Sequence, residues 1–324
     1  MGIDTSKACG PDNLPGFILK SFATIICSPL SYLFKRSLCE GQFPACWKIA
    51  NIVAIHKSGK KQNVANYRPV SLLPLVSKVF ERVLCTQLVR HVQPAISEHQ
   101  HGFVPGRDCT TNLTALLQEA YSAVDRRGQL DVMFTDFSKA FDRVDQKLLI
   151  HKLASYHIHP QLLILLRNYL SERKHRVVVD GECSNWYPVF SGVPQGSVLG
   201  PVLFTLFIND LPSCLTNRSL LFADDMKVFR QVFNDSDCAS LQYDLDKIHS
   251  WCATWKLQLN LKKCSVMSVT LKKKPCLFNY TISDCILNRV STQKDLGIFI
   301  DSKLNFVSHV THVVKKVNRM IGLV

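Results

Sequence analysis

Apolar positions along the 324-residue chain change their period several times, and each change marks an element. Ile49 to Ile55 is a continuous run rich in β-branched residues and reads as a strand, with a turn expected at Ser58-Gly59-Lys60-Lys61. Leu75, Val79, Val83 and Leu84 then recur at helical intervals. The middle of the chain carries short apolar runs that end in acids. Val132-Met133-Phe134 leads to Asp136, and Leu220 to Ala223 leads to Asp224-Asp225 before Met226 to Phe229. The second run predicts a β-hairpin with Asp224-Asp225 as its two-residue turn. Leucine-rich stretches between them, at 148–153, 162–170 and 198–208, predict helices, so strands and helices mix as in an α+β fold. Leu241, Leu245, Ile248, Trp251 and Trp255 mark the apolar face of a helix, with both tryptophans assigned to the core. Leu257 to Asn260 reads as a strand, and Phe306 to Val324 as the start of a basic helix.

Composition narrows the partners. No apolar run approaches a membrane span, and Met1 to Lys7 holds no signal core, so secretion and membrane insertion are set aside. The 13 cysteines include no C-x-x-C pair and are expected to be reduced, buried thiols of an intracellular protein. Lys and Arg number 39 against 25 Asp and Glu, a formal charge of +14 that points to a polyanion. Half of that excess lies between Lys48 and Arg90, where eight basic residues stand against Glu81 alone.

Asp136 and Asp224-Asp225 each end a buried-type strand, so neighbouring strands can bring the carboxylates together. Three carboxylates at one point repel unless divalent cations neutralise them. Magnesium suits such a site, because it takes oxygen ligands and is usually held by one or two carboxylates plus substrate phosphates. Two such ions can run an in-line phosphoryl transfer. An isolated Asp-Asp, however, is more simply a solvated turn. Ser191 to Ser197 places glycines before an apolar helix, where backbone amides can approach a phosphate or sugar, but it lacks the lysine of a P-loop. A plain connection between strand and helix explains that stretch equally well.

In order and spacing, Phe134-Thr135-Asp136-Phe137-Ser138-Lys139-Ala140-Phe141-Asp142, Gly192-Val193-Pro194-Gln195-Gly196-Ser197 and Phe222-Ala223-Asp224-Asp225 resemble three core motifs of reverse transcriptases, most closely those of non-LTR (LINE-type) retrotransposons. Asn66 to Leu72 and Gln100 to Arg107 resemble that group's fingers motifs. Leu259 to Cys264 resembles a later palm motif, and Asp295-Leu296-Gly297 the primer-grip hairpin.

The resemblance implies a right-hand polymerase fold with an antiparallel palm sheet packed on helices. It assigns residues 1–130 to an N-terminal extension and fingers, 131–300 to the palm and 301–324 to the start of a thumb. It implies an RNA-directed DNA polymerase that adds deoxynucleotides to a DNA primer 3′-hydroxyl on an RNA template. Asp136, Asp224 and Asp225 would bind two Mg2+ ions, with Mn2+ as a substitute. Lys57 and Arg68 would grip the triphosphate, the backbone of Phe137 would lie beside it, and Phe141 would block a ribose 2′-hydroxyl. Gln195 and Gly196 would cover the sugar and template, and Lys263 would protonate the departing pyrophosphate. Phe222 departs from the family's usual Tyr and loses a hydroxyl near the primer end. Full-length relatives carry an endonuclease and a complete thumb, so the chain is expected to be a fragment or decayed copy, with nicking left to a separate endonuclease. Nucleus and cytoplasm follow from the family alone. Two alternatives stay open beside the polymerase. One is an inactive relic that only binds nucleic acid, and the other an RNA-templated RNA polymerase, which Phe141 opposes.

Overall fold

The computed structural model describes residues 4–6, 8–57 and 59–322. Ser58 of the expected turn and Leu323 and Val324 of the expected last helix lie outside the described residues, as do Met1 to Ile3 and Lys7. In chain order the elements are helices α1 (Gly16–Ser21) and α2 (Ala23–Glu40), strands β1 (Ile49–His56) and β2 (Tyr67–Leu72), helices α3 (Leu75–Val92) and α4 (Cys109–Asp125), and strand β3 (Gln129–Asp136). Helices α5 (Ala140–Arg143), α6 (Gln146–Ala154) and α7 (Pro160–Leu170) follow, then strands β4 (Arg173–Val179), β5 (Glu182–Cys183) and β6 (Tyr187–Val189), and helix α8 (Leu199–Ile208). Strands β7 (Arg218–Phe222) and β8 (Asp225–Gln231) lead to helix α9 (Asp235–Trp255) and strand β9 (Ser265–Thr270). The short strands β10 (Thr281–Ile282), β11 (Cys285–Ile286), β12 (Asn288–Arg289), β13 (Thr292–Asp295) and β14 (Ile298–Asp301) precede helix α10 (Val307–Met320). No helix among the described residues is long and apolar enough to cross a membrane.

These elements form two compact units that interleave along the chain: Met1–Ile96 with Lys139–Phe207, and Ser97–Ser138 with Ile208–Val324. In the first unit β1 pairs antiparallel with β2 and parallel with β4, and β4 adds β5 and β6. Strands β4 to β6 were not foreseen from the pattern. β5 and β6 are two and three residues long, and β4 opens on Arg173-Lys174-His175-Arg176, so no apolar run of strand length stands out. Helix α3 turns a slightly different face inward than its spacing suggested: Phe80, Leu84 and Leu88 are buried, whereas Val83 is exposed.

Glu81 on that face is fully buried. Its carboxylate accepts the backbone N–H groups of Val198 (2.8 Å) and Leu199 (3.2 Å), the Ser77 hydroxyl (2.9 Å) and the Tyr169 hydroxyl (3.2 Å). A residue that counted only as the lone acid of a basic segment therefore caps helix α8, whose first N–H groups have no partner inside the helix. Glu81→Gln is expected to cost about 1–2 kcal/mol, because Ser77 can turn to accept from the new amide while both backbone donors, which share the other oxygen, keep an acceptor but lose its negative charge. A urea midpoint lowered at unchanged slope is the check.

In the second unit the sheet order is β12-β9-β3-β8-β7. The strands β9, β3, β8 and β7 pair antiparallel as expected, and a two-residue edge pair, β12–β9, is parallel. Strand β3 is buried on both faces until Asp136, which explains its continuous apolar run. Leu130, Val132 and Phe134 pack with Leu116, Ala120 and Ala123 of α4 and with Met267 and Val269 of β9. Helix α9 starts at Asn234, whose side chain accepts the N–H groups of Ser236 (2.9 Å) and Asp237 (3.3 Å), and it buries Leu241, Leu245, Ile248 and Trp251 as its spacing predicts. Trp255 is only half-buried.

Leu257 to Asn260 is not a strand. It makes a single bridge, Leu259 to Phe137. The expectation of buried thiols is also corrected: among the 13 cysteines only Cys238, Cys252 and Cys264 are buried, and six are exposed. A cysteine's burial follows the element it sits on, and Cys27 and Cys39, for example, lie on the exposed helix α2.

Candidate active site

In the second unit β3 and β8 pair in a register that sets Asp136 directly opposite Asp225. The hairpin turn differs from the expectation by one residue. Phe222 pairs with Asp225, so Ala223 and Asp224 form the turn and Asp225 opens β8. Ala223 takes the left-handed region at φ +55°, a conformation that costs an alanine energy and has to be held from outside. Gln100 supplies that support. Its buried Oε1 accepts the N–H of Ala223 (3.0 Å) and of Gly102 (2.8 Å), while His101 N donates to Leu221 O (2.9 Å). A Cβ on Gly102 would lie 2.3 Å from Ala223 N, so only glycine lets this loop lie against the turn. Gln100 to Arg107 thus acts as a brace behind the acidic hairpin.

The carboxylates crowd one another. Asp225 reaches solvent, yet the protein packed around it, and then the charges of Asp224 and Asp136, push its pKa up to about 6. The Lys263 ammonium lies 2.8 Å from Asp136 Oδ2, a cation already seated on one carboxylate. Among the described residues no three His, Cys, Asp or Glu side chains form a ready-made metal cage. Past Asp136 the chain is clamped by Asn260 N to Asp136 O and Ser138 N to Gln258 O, both 2.7 Å. That pattern makes Phe137–Leu259 a non-hydrogen-bonded pair, which turns the N–H and C=O of Phe137 away from Leu259. The Phe137 ring is buried edge-on to Trp251, with centroids 6.4 Å apart.

Lys227, two residues beyond Asp225, is 1% exposed. Its ammonium donates to Asn112 Oδ1 of α4 (2.5 Å) and forms an ion pair with the buried Asp295 of β13. Burial lowers its pKa while Asp295 raises it. Asp295 precedes Leu296 and Gly297, which form a two-residue turn with φ of +44° and +93° that joins β13 to β14. A buried ion pair therefore ties the acidic hairpin to the second hairpin. Neither Lys227 nor Asn112 carried a sequence signal for this role.

The other predicted residues belong to the first unit. Ile55 pairs with Arg68, and Lys57 follows β1 with its N–H on Asn66 O at 2.8 Å, so both cations are exposed at one end of the β1–β2 ribbon. Gln195 is joined to β2 through Ser71 N and Gln195 O (2.8 Å), and its Nε2 donates to Asp142 Oδ1 (3.1 Å). A Cβ on Gly196, at φ +102°, would meet Ser71 O at 2.6 Å. Phe141 stacks on Phe204 with ring centroids 4.4 Å apart.

A family model described as "Reverse transcriptase (RNA-dependent DNA polymerase)" matches residues 55–300. The chain is 32% identical to the RNA-directed DNA polymerase from mobile element jockey of Drosophila melanogaster, over 98% of this chain and 36% of that protein. It is likewise 32% identical to the probable RNA-directed DNA polymerase from transposon X-element of Drosophila melanogaster, over 95% of this chain and 35% of that protein. The chain thus spans about a third of the length of these relatives. Among solved structures it is similar to apo telomerase from Candida tropicalis truncated from its C-terminal domain. The TM-score is 0.55 at 12% identity, over 87% of this chain and 59% of that one. At that identity the likeness shows the fold alone, that of the right-hand polymerases. The match over residues 55–300, together with the order of the motifs, establishes that the chain belongs to the reverse transcriptase (RNA-dependent DNA polymerase) family, in its non-LTR retrotransposon group.

Proposed function

We propose that this chain carries RNA-templated DNA synthesis, the transfer of a deoxynucleotide to a primer 3′-hydroxyl with release of pyrophosphate. The observation that carries it is the register of β3 and β8, which puts Asp136 opposite Asp225 beside the Asp224 turn at the end of a buried sheet. Reverse transcriptases use divalent metal ions, and the carboxylates fit such ions on two counts: burial and then the charges of Asp224 and Asp136 raise the pKa of Asp225, and an ammonium already sits on Asp136. Asp136, Asp224 and Asp225 would hold two Mg2+ ions, or Mn2+ in their place, and bound ions supply charge neutralisation and activation of the primer hydroxyl.

The chain's own groups supply the rest. The backbone of Phe137 is turned away from Leu259 and suits contact with a triphosphate. Lys263 holds a proton on Nζ beside Asp136 and can deliver it to departing pyrophosphate. In the first unit Lys57 and Arg68 bind the triphosphate as a point charge and a planar fork, and Gln195 and Gly196 bind sugar and template. Segments 1–130, 131–300 and 301–324 serve as extension and fingers, palm, and start of thumb.

Phe141, held by its stack on Phe204, excludes the 2′-hydroxyl. Phe141→Ala is expected to relax discrimination against ribonucleotides by about tenfold or more, read as the ratio of single-nucleotide insertion efficiencies. The overall test is extension of oligo(dT) on poly(rA) with magnesium or chelator. Primer-template binding with no magnesium-dependent extension would overturn the polymerase assignment for this chain.

A further inference from the structure

We propose that Cys238 and Cys276, both in the second unit, form a redox latch: two thiols held in contact when reduced, which a low-molecular-weight disulfide such as oxidised glutathione converts into a cross-link. The proposal does not rest on the polymerase assignment. The two sulphur atoms lie 3.7 Å apart. A disulfide holds its sulphurs about 2 Å apart, so a movement on the scale of one side chain closes the gap.

The fold sets this contact from both sides. Cys238 lies in the first turn of α9 and is fully buried. Cys276 lies in the connection after β9 and is partly exposed, so an oxidant in solution meets it first. The buried side chain of Gln129, at the start of β3, clasps the Cys276 backbone. Cys276 N donates to Gln129 Oε1 at 2.9 Å, and Gln129 Nε2 donates to Cys276 O at 2.8 Å. A side-chain amide satisfied at both ends thus holds the backbone of Cys276 in place against α9. The Cys276 thiol also donates to Asp235 Oδ1 of that helix at 3.5 Å. Two thiols and this carboxylate do not make a metal centre, since no metal-holding group of three such side chains occurs among the described residues.

The chemistry takes two exchanges. The Cys276 thiolate attacks one sulphur of the small disulfide, forming a mixed disulfide and releasing one small thiolate. Cys238 then gives up its proton and attacks the Cys276 sulphur, forming the cross-link and expelling the second small thiolate. Two electrons pass from the cysteines to the small disulfide, and its two halves leave as thiols with the two protons. Burial, then Cys238 and Asp235, push the Cys276 thiol up to about 12. The attacking thiolate is therefore scarce at neutral pH and the latch closes slowly. A thiolate of high pKa is also a slow leaving group, so the closed bond resists reduction. The pair responds to sustained oxidation and ties the connection after β9 to α9.

The test oxidises the full native chain with glutathione disulfide, blocks the remaining thiols in acid and maps disulfides by mass spectrometry without reduction. A peptide pair joined through Cys238 and Cys276 is expected. Its rate of formation should rise about tenfold per pH unit and keep rising to about pH 10, beyond the point where exposed cysteines level off. In Cys238→Ala the reaction should stop with glutathione on Cys276. Oxidation should raise the urea midpoint of the parent chain by about 1 M relative to Cys276→Ala oxidised in the same way, and dithiothreitol should remove the difference. The joined peptide is read on the parent chain, so the test holds even where Cys238→Ala does not fold. Absence of that peptide once the exposed cysteines carry glutathione, or a midpoint no higher than that of oxidised Cys276→Ala, would overturn the latch.

Discussion

Asp136→Asn is expected to abolish magnesium-dependent primer extension, a loss of about a hundredfold or more, while primer-template binding and stability stay nearly unchanged. The substitution keeps the shape of the side chain and removes only the charge. The backbone bond from Asn260 N to Asp136 O survives, so the turn past β3 is held as before. The Lys263 partner is lost, but that lysine is about half exposed (53%), and an exposed pair of this kind contributes at most about 1 kcal/mol. Activity and stability therefore separate. Extension on poly(rA) with oligo(dT), beside a urea titration of the same preparation, reads both. Asp224→Asn serves as the second arm, since it too removes a carboxylate and keeps the turn. Extension surviving in both variants would mean the carboxylates are not the reacting site.

Lys227→Met is expected to be the most destabilising single substitution considered, at about 3–5 kcal/mol, because it leaves the buried Asp295 carboxylate without a cation. Asn112 loses its ammonium partner as well. The unfolding midpoint in urea should fall at unchanged slope, since the surface exposed on unfolding is the same. Adding Asp295→Asn to Lys227→Met removes the stranded charge and should recover a large part of the loss, a non-additivity expected of residues in direct contact. A single variant within about 0.5 kcal/mol of the parent chain, or a double variant no better than the single, would show that the pair does not tie the two hairpins.

The elements legible along the chain were those whose signal is local. The run from Val132 to Asp136 is continuous because β3 is covered on both faces, and Leu241 to Trp251 repeats at helical spacing because one face of α9 is buried. The Leu296-Gly297 turn was legible only through the resemblance of Asp295-Leu296-Gly297 to a hairpin motif of the family. What misled was equally local. Leu257 to Asn260 alternates like a strand but makes a single bridge, to Phe137, and Asp224-Asp225 has the composition of a turn although Ala223 takes the left-handed position. That choice is made by Gln100 and Gly102, more than a hundred residues upstream of Ala223, which hold its N–H and lie against it. Strands β4 to β6 gave no periodic signal, since β4 opens on Arg173-Lys174-His175-Arg176 and β5 and β6 are two and three residues long.

By itself the amino-acid order determined the family and the α+β class and brought forward Asp136, Asp224 and Asp225 as candidate carboxylates, because motif order and hydrophobic period are written in consecutive residues. Only the tertiary structure decided which of the charged groups are buried and what answers them. Glu81 and Lys227 count as one charge each in a composition. Folding places Glu81 on Val198, 117 residues away, and Lys227 on Asp295, 68 residues away. Desolvation and its compensation depend on which distant segments close around a side chain, and no local pattern carries that information.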